Sequence, residues 1–265
     1  SNYILSKIEP GWTVIDIGAN IGFYTVQFSK KVGKYGKVFA VEPSLNNVYL
    51  LKKNILVNRL KNVSIIEKAI SSKTGDGKLY LSKGHSGDHR IYNTMNKRKY
   101  IPIQTITIDY LTKNEKQVDL IKMDIQGAEY LSIPGMSRTL KKFPNVKIVS
   151  EFSPKLLTES GGSPDQFLDF FLNEGFSLKY FNEKNRNLAR TTKMELLENI
   201  CNGNKYVSLY LERGDWSIMD NISNLWTRLK KDVIDGGLCT HCGTCVGLND
   251  NLLEFKETAF GSLPV

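Results

Sequence analysis

The sequence predicts an α/β fold in which a mostly parallel sheet is covered by helices on both faces. Three observations carry this expectation. Short β-rich apolar runs alternate with stretches of helical periodicity along most of the chain. The first run, Val14-Ile15-Asp16-Ile17, leads directly into the glycine turn Gly18-Ala19-Asn20-Ile21-Gly22. The second run closes on an acidic residue, Glu42, about 20 residues beyond that turn, the spacing of a nucleoside-binding βαβ unit.

The β-rich runs fall at 13–17, 37–41, 63–67, 120–123, 146–151, 177–181 and 206–211. Runs at 78–82 and 101–106 read as an inserted hairpin or edge extension. The polar, basic segment 83–100 between them is expected to be a mobile loop. Leu45, Val48, Leu51 and Ile55 recur at near-helical spacing and predict one buried helix face. Phe167, Phe170 and Phe171 predict another. That second helix is punctuated: Ser163 as cap, Pro164 in the first turn, Gln166 completing a capping box, and Gly175 at the end. Strands alternating with helices in this way bury a parallel sheet from both sides.

The chain of 265 residues, 41% of them hydrophobic, is long enough for one α/β core and a small appendage. The expected division is a core domain at 1–213, an amphipathic helix and linker at 214–237, and a cysteine-rich module at 238–265. In the linker, Ile218, Ile222, Leu225, Leu229 and Val233 share one helical face. No apolar run approaches the roughly 20 residues of a membrane span. The first residues lack the pattern of a secretory signal, and a cytoplasmic protein is expected. The formal charge of +9 suits an anionic partner such as nucleic acid, a phosphorylated sugar or a lipid head group. A solvated lysine-rich surface accounts for it more readily, since the lysines are scattered.

The turn at 18–22 has a physical logic. Gly18 allows close backbone approach and a turn that a Cβ would hinder. Gly22 lets the first helix pack closely. Asp16 can accept hydrogen bonds from a ligand ammonium or from loop amides, and Glu42 can accept both hydroxyls of a ribose. A dinucleotide site would instead carry G-x-G-x-x-G and a helix N-terminus cradling pyrophosphate. A carboxylate at position 16 repels pyrophosphate but suits S-adenosylmethionine, which carries an ammonium, a sulfonium and no phosphate.

Several ordered motifs then resemble the FkbM-type methyltransferases: Val14 to Gly22, Val41-Glu42-Pro43, Lys68-Ala69-Ile70-Ser71, Thr107-Ile108-Asp109, the stretch Asp119 to Glu129, and Glu151-Phe152-Ser153-Pro154. The resemblance runs from about Ile8 to Leu211. It implies a Rossmann-like class I methyltransferase fold with a seven-stranded sheet, and methylation of a hydroxyl on a sugar, glycan precursor or other small acceptor. It further implies that Asp16, Gly18, Ala19, Asn20, Gly22 and Phe23 form the cofactor loop. Glu42 with Pro43 would take the ribose, and Lys68-Ala69 would lie near the adenine. Asp124, at the end of the fourth strand, would face cofactor and substrate. Gln126 departs from the pattern, because many members carry Glu there.

Ligands in open α/β sheets bind beyond the carboxyl ends of the strands, where Asp124, Gln126, Glu129 and Glu151 are expected to gather. Methyl transfer needs an aligned acceptor and removal of its proton. Asp124 and Glu151 are the candidate orienting groups or bases, with Glu129, His85 and His89 as further candidates. Glu129 also suits a helix N-terminus, and the two histidines suit an exposed loop. A carboxylate cluster can instead hold Mg²⁺. The sequence Asp124-Ile125-Gln126-Gly127 lacks the Asn/Asp-Pro-Pro-aromatic motif that resembles amine methylation, which disfavours adenine as acceptor.

Cys239, Cys242 and Cys245 have the C-x₂-C-x₂-C spacing of half a ferredoxin motif. Residues 238–247 and 260–265 resemble the start of a deazaflavin-dependent hydrogenase/dehydrogenase beta-subunit, an iron–sulfur module that would bring a redox partner. A fourth cysteine is missing at 249–250, so the set can hold a degenerate cluster, Zn²⁺ or nothing. Two readings compete with an O-methyltransferase. One is a non-catalytic cofactor-binding scaffold for the cysteine module, and the other is an RNA methyltransferase.

Overall fold

The computed structural model describes residues 2–93, 98–182, 185, 187–202 and 205–213, with the backbone of 255–258 and 261–264. The chain divides into two compact units, Ser1–Asp215 and Trp216–Val265. In the second unit, strands at Phe255–Thr258 and Gly261–Pro264 pair as an antiparallel hairpin. The expected helix at 218–233 and the cysteines Cys239, Cys242 and Cys245 lie outside the described residues.

The first unit contains the strands β1 (Thr13–Ile17), β2 (Lys37–Val41), β3 (Val63–Ile66), β4 (Ala69–Ile70), β5 (Gly75–Tyr80), β6 (Tyr100–Ile106), β7 (Leu120–Met123), β8 (Lys147–Phe152), β9 (Phe176–Asn182), β10 (Asn187–Arg190) and β11 (Val207–Arg213). Its helices are α1 (Asn2–Lys7), α2 (Phe23–Val32), α3 (Leu45–Val57), α4 (Ile108–Leu111), α5 (Glu129–Ser132), α6 (Ser137–Lys142), α7 (Pro154–Glu159), α8 (Pro164–Asn173) and α9 (Lys193–Glu195).

The main sheet has the order β10-β9-β11-β8-β7-β1-β2-β3. Strands β3, β2, β1, β7 and β8 are parallel, while β11 runs antiparallel between β8 and β9. The sheet therefore has eight strands where seven were expected. The added one, β10, pairs antiparallel with β9 and is the outermost strand on that side. The hairpin β5–β6 joins β4 in a separate three-stranded sheet.

Alternation along β1 divides the core. Ile15 and Ile17 pack with Ile121, Met123, Ile148 and Phe152 on one face, against the phenylalanines of α8. Val14 packs with Leu120, Phe28 and Val32 on the other, against α2. Asp16 and Lys122 share this second face, two residues along from Val14 and Leu120. The α8 prediction holds at Phe167 and Phe171, which are buried. Ser163 Oγ accepts from the Gln166 amide, and Gly175 takes a positive φ beyond the helix end. The Gln166 side chain, however, accepts from Tyr130 Oη at 2.6 Å rather than turning back to its own cap. On α3, Val48 and Leu51 are buried as expected, but Leu45 is 64% exposed and Asn47 is buried in its stead. Asn47 turns inward because its amide reaches Glu42.

Candidate active site

Register brings the site together before any side chain is considered. Ile17 pairs with Val41 on one side and with Met123 on the other, and Met123 pairs with Ser150. The residue that follows each of these on its strand is Gly18, Glu42, Asp124 and Glu151. Four residues separated by more than a hundred positions thus form one row at the carboxyl edge of the sheet, where ligands of open α/β folds bind.

A cleft of about 320 Å³ opens over Gly18, Glu42 and Asp124 of this row. Among the expected cofactor residues, Gly18, Ala19, Asn20, Phe23, Glu42, Pro43, Lys68, Ala69 and Asp124 line it. So does His85 from the expected catalytic set, together with Ser86, Gly87, His89 and Ile91 from the same segment. Asp16, Gly22, Glu129 and Glu151 do not line the cleft, and each departure has a physical cause.

Asp16 is fully buried. Its Oδ2 accepts from Thr25 Oγ1 at 2.6 Å, and its Oδ1 lies 3.4 Å from Lys122 Nζ. The carboxylate expected to greet a ligand cation is already matched by a cation of its own sheet. Gly22 serves packing, as expected, but its neighbour is α3: an added Cβ would lie 2.6 Å from Leu51 Cδ1. Gly18 has φ +77°, and its close approach is to the Asp124 carbonyl oxygen, which an added Cβ would strike.

Glu129 is buried at the start of α5, where its Oε1 accepts from the Ile125 amide at 2.7 Å and its Oε2 from the Gly127 amide at 2.8 Å. It staples the turn after β7 and does not face the cleft. Burial pushes its carboxyl up to about 7, against the lowering effect of those amides. Glu151 sits half-buried behind Gln126, whose Nε2 donates to Asp124 Oδ1 at 3.2 Å and to Glu151 Oε2 at 3.4 Å. Burial, helped by the nearby Asp124 and Glu129 charges, pushes Glu151 up to about 8, with Lys122 opposing.

Glu42 is fastened by three donors: the Ser44 amide and Asn47 Nδ2 on Oε1, and the Asn20 amide on Oε2. Burial raises its carboxyl, with these bonds opposing. Two donors occupy the lone pairs of Oε1, leaving one acceptor position on Oε2. Asn20 reaches Glu42 because it adopts φ +50°, a conformation that Asn tolerates.

Lys122 and Tyr92 were not singled out by sequence reasoning. Lys122 lines the cleft floor, 3.6 Å from Asp124 Oδ2 and beneath the Tyr24 ring. Burial opposes its charge, but Asp16 and Asp124 more than compensate and its ammonium is held above the usual range. The signal was legible: a lysine inside Leu120-Ile121-Lys122-Met123, a strand buried throughout, needs a carboxylate partner.

The described residues of the segment expected to be a mobile loop, 83–93 and 98–100, are tied to the rest of the fold. Asp88 binds both Arg90 and Arg98, Arg90 reaches Glu159 of α7 at 2.6 Å, and Asn47 Nδ2 donates to the Ser86 carbonyl. His89 is occupied too: its Nδ1 accepts from the Ser82 amide, and burial lowers its pKa.

The donor set suits a cationic, phosphate-free nucleoside. Two carboxylates, Glu42 and Asp124, line the cleft together with Lys68, and the buried Lys122 is neutralised by Asp16 and Asp124. Apolar groups at Pro43, Ala69, Ile70 and Ile125 complete the walls. Among the described residues no group of three or more His, Cys, Asp or Glu side chains is placed to hold a metal ion. Asp124 and Glu151 in particular are kept apart by the Gln126 amide. No helix among them is long and apolar enough to cross a membrane.

The family model for the methyltransferase FkbM domain matches residues 16–178, more than half of the chain. A protein of Sulfurisphaera tokodaii named "Probable cobalt-precorrin-6B C(15)-methyltransferase (decarboxylating)" is 42% identical over 62 residues, 23% of this chain. The matched stretch is 32% of the length of that protein. Among solved structures, the methyltransferase FkbM from Methylobacillus flagellatus is similar at 15% identity and a TM-score of 0.48, over 77% of this chain and 44% of the other. An rRNA methylase from Streptococcus thermophilus is similar at 9% identity and a TM-score of 0.46, over 80% of this chain and 92% of the other.

Proposed function

The chain belongs to the FkbM methyltransferase family, and from that membership we propose that it transfers the methyl group of S-adenosylmethionine to a hydroxyl of a sugar, glycan precursor or other small acceptor. The observation that carries this reading is the row Gly18, Glu42 and Asp124 in a cleft with two carboxylates on its wall, continued behind Gln126 by Glu151. When bound, S-adenosylmethionine supplies an electrophilic methyl group on a cationic sulfur.

The remaining chemistry belongs to the chain. Glu42 offers the free position on Oε2 to one ribose hydroxyl, with its carboxylate held in place by the Asn20, Ser44 and Asn47 donors. Pro43, Ala69 and Ile70 give the base an apolar bed. Asp124, tied to Lys122 and Gln126, orients the polar end of the cofactor and the acceptor hydroxyl. Glu151, set behind Gln126 rather than on the cleft wall, serves as proton acceptor through one intervening water; with its carboxyl near 8, it matches the pKa that general base catalysis favours near neutral pH, an effect worth about 10²–10⁴ in rate. His85 also lines the cleft and is a second candidate proton acceptor.

The test is calorimetry with S-adenosylhomocysteine, followed by mass spectrometry of a panel of sugars, nucleotide sugars and RNA incubated with the methyl donor. Binding together with O-methylation of a small acceptor supports the reading. Binding without turnover on any acceptor favours a cofactor-binding scaffold, and methylated RNA moves the acceptor to nucleic acid. No binding at all overturns it.

A further inference from the structure

Gln126 occupies a strained place. Its φ is +57°, in the left-handed region that a long side chain rarely adopts, and Gly127 follows at +96°. Such a conformation persists only where its surroundings hold it: Glu129 pins the flanking Ile125 and Gly127 amides from within the turn, and a second holder comes from another part of the fold. Tyr92, buried, donates its hydroxyl to the Gln126 carbonyl at 2.6 Å. The same hydroxyl accepts from Arg90 Nη1 at 3.2 Å, and Arg90 is itself clamped between Asp88 and Glu159. Gly127 leaves the room for this contact, since an added Cβ would lie 2.7 Å from the Tyr92 hydroxyl.

We propose that Tyr92 is a positioning residue for the reaction: by holding the Gln126 carbonyl, it keeps the Gln126 amide aimed between Asp124 and Glu151. This rests on the methyl-transfer reading above. The chain of contacts runs from Glu159 on α7 through Arg90 and Tyr92 to Gln126, and ends on the two carboxylates. Two segments distant in sequence, 88–92 and 154–159, thereby share in holding the turn that presents the Gln126 side-chain amide. An amide donating to Glu151 favours the ionised carboxylate, so the bond tunes the proposed base as well as placing it. The other charged groups around Glu151 are Asp124 and Glu129 from the turn after β7 and Lys122 from β7 itself. None of them bonds to Tyr92. The phenol remains a donor throughout the working range, because burial pushes it up to about 12.

The test uses carboxyl ¹³C NMR titration of the whole chain, with Glu151 assigned by E151Q. In Tyr92→Phe the ring packing stays and only the hydroxyl goes. The Glu151 titration is expected to move upward by about half a unit, a fraction of one charge-assisted hydrogen bond. Gln126→Asn, which tolerates positive φ but is too short to reach Glu151, is expected to shift Glu151 in the same direction. Adding Tyr92→Phe to Gln126→Asn is then expected to shift it no further. An unchanged Glu151 titration in Tyr92→Phe, or additive shifts in the double variant, would overturn the proposal; so would a Tyr92→Phe protein that loses melting temperature alone. Calorimetry with S-adenosylhomocysteine on the same samples separates this from the functional reading. A wild type that fails to bind sinks the function, while the titration still decides the role of Tyr92.

Discussion

Asp16 and Lys122 are direct cross-strand partners in the parallel pair β1–β7, and their charges meet 3.4 Å apart inside the sheet. Both are almost completely buried. The pair lies on the α2 face, with Thr25 closing one side of the carboxylate and Asp124 approaching the ammonium from the cleft. The acid of the first strand thus acts at one remove: it holds the lysine that in turn holds Asp124.

Removing the lysine leaves a buried carboxylate with only Thr25 as partner. Lys122→Met is expected to lower unfolding stability by about 3–5 kcal/mol, the cost of breaking a buried ion pair from one side. Urea denaturation measures it. A loss below about 1 kcal/mol would mean that water, not Lys122, compensates Asp16.

The two glycines Gly11 and Gly18 both have positive φ but differ in surroundings. An added Cβ meets nothing at Gly11 and the Asp124 carbonyl at Gly18. Gly11→Ala is expected to cost about 1 kcal/mol from backbone strain alone. Gly18→Ala is expected to cost several times that, or to displace the turn after β7 and abolish cofactor binding. Thermal melts of the two variants side by side check the contrast.

Glu129 and Glu151 are held near 7 and near 8 in the folded protein, against an ordinary value near 4.5. Between those values the folded state keeps protons that the unfolded state has released. Their contribution to stability is therefore fully present below about 4.5 and is lost as pH rises towards 8. Melting temperature is expected to fall from pH 5 to pH 8. Glu129→Gln should flatten that slope while lowering stability at every pH, since a Gln amide cannot accept from both Ile125 and Gly127. That lost acceptor costs about 1–3 kcal/mol.

If Glu151 takes the acceptor proton, the rate must rise with pH as its carboxyl ionises. The pH–rate profile is expected to climb through about 8. Glu151→Gln is expected to remove that limb and lower the rate by about 10²–10⁴, with S-adenosylhomocysteine affinity nearly unchanged. A limb that survives in Glu151→Gln would assign the proton to another group, His85 being next in place.

Much of this architecture was legible because it rests on local pattern. The strands at 13–17, 37–41 and 120–123 match residue for residue, since short apolar runs bounded by glycine or polar turns have few alternatives. Glu42 and Asp124 were legible as strand-end acids, and the parallel register placed them as expected. Asp16 was misplaced because strand-end position does not say which way a side chain faces. It shares the face of Val14, so it points into α2. Glu129 was ambiguous for a related reason: a carboxylate at a helix start can face solvent, ligand or its own turn, and only the backbone path decides. Lys122 was overlooked although a lysine in a buried strand asks for a carboxylate, while Tyr92 and the reach of Arg90 were not legible because their partners Gln126 and Glu159 lie far along the chain.

Through Glu42 and Asp124 the cleft is proposed to select a cationic nucleoside without phosphates. Calorimetry of S-adenosylmethionine, its neutral thioether S-adenosylhomocysteine and NAD, on the wild type and on Glu42→Ala, measures this selection. The wild type is expected to bind S-adenosylmethionine at least as tightly as S-adenosylhomocysteine and not to bind NAD, and Glu42→Ala is expected to weaken binding about tenfold or more through the lost hydroxyl contact. Tighter binding of NAD, or full affinity in Glu42→Ala, would contradict it.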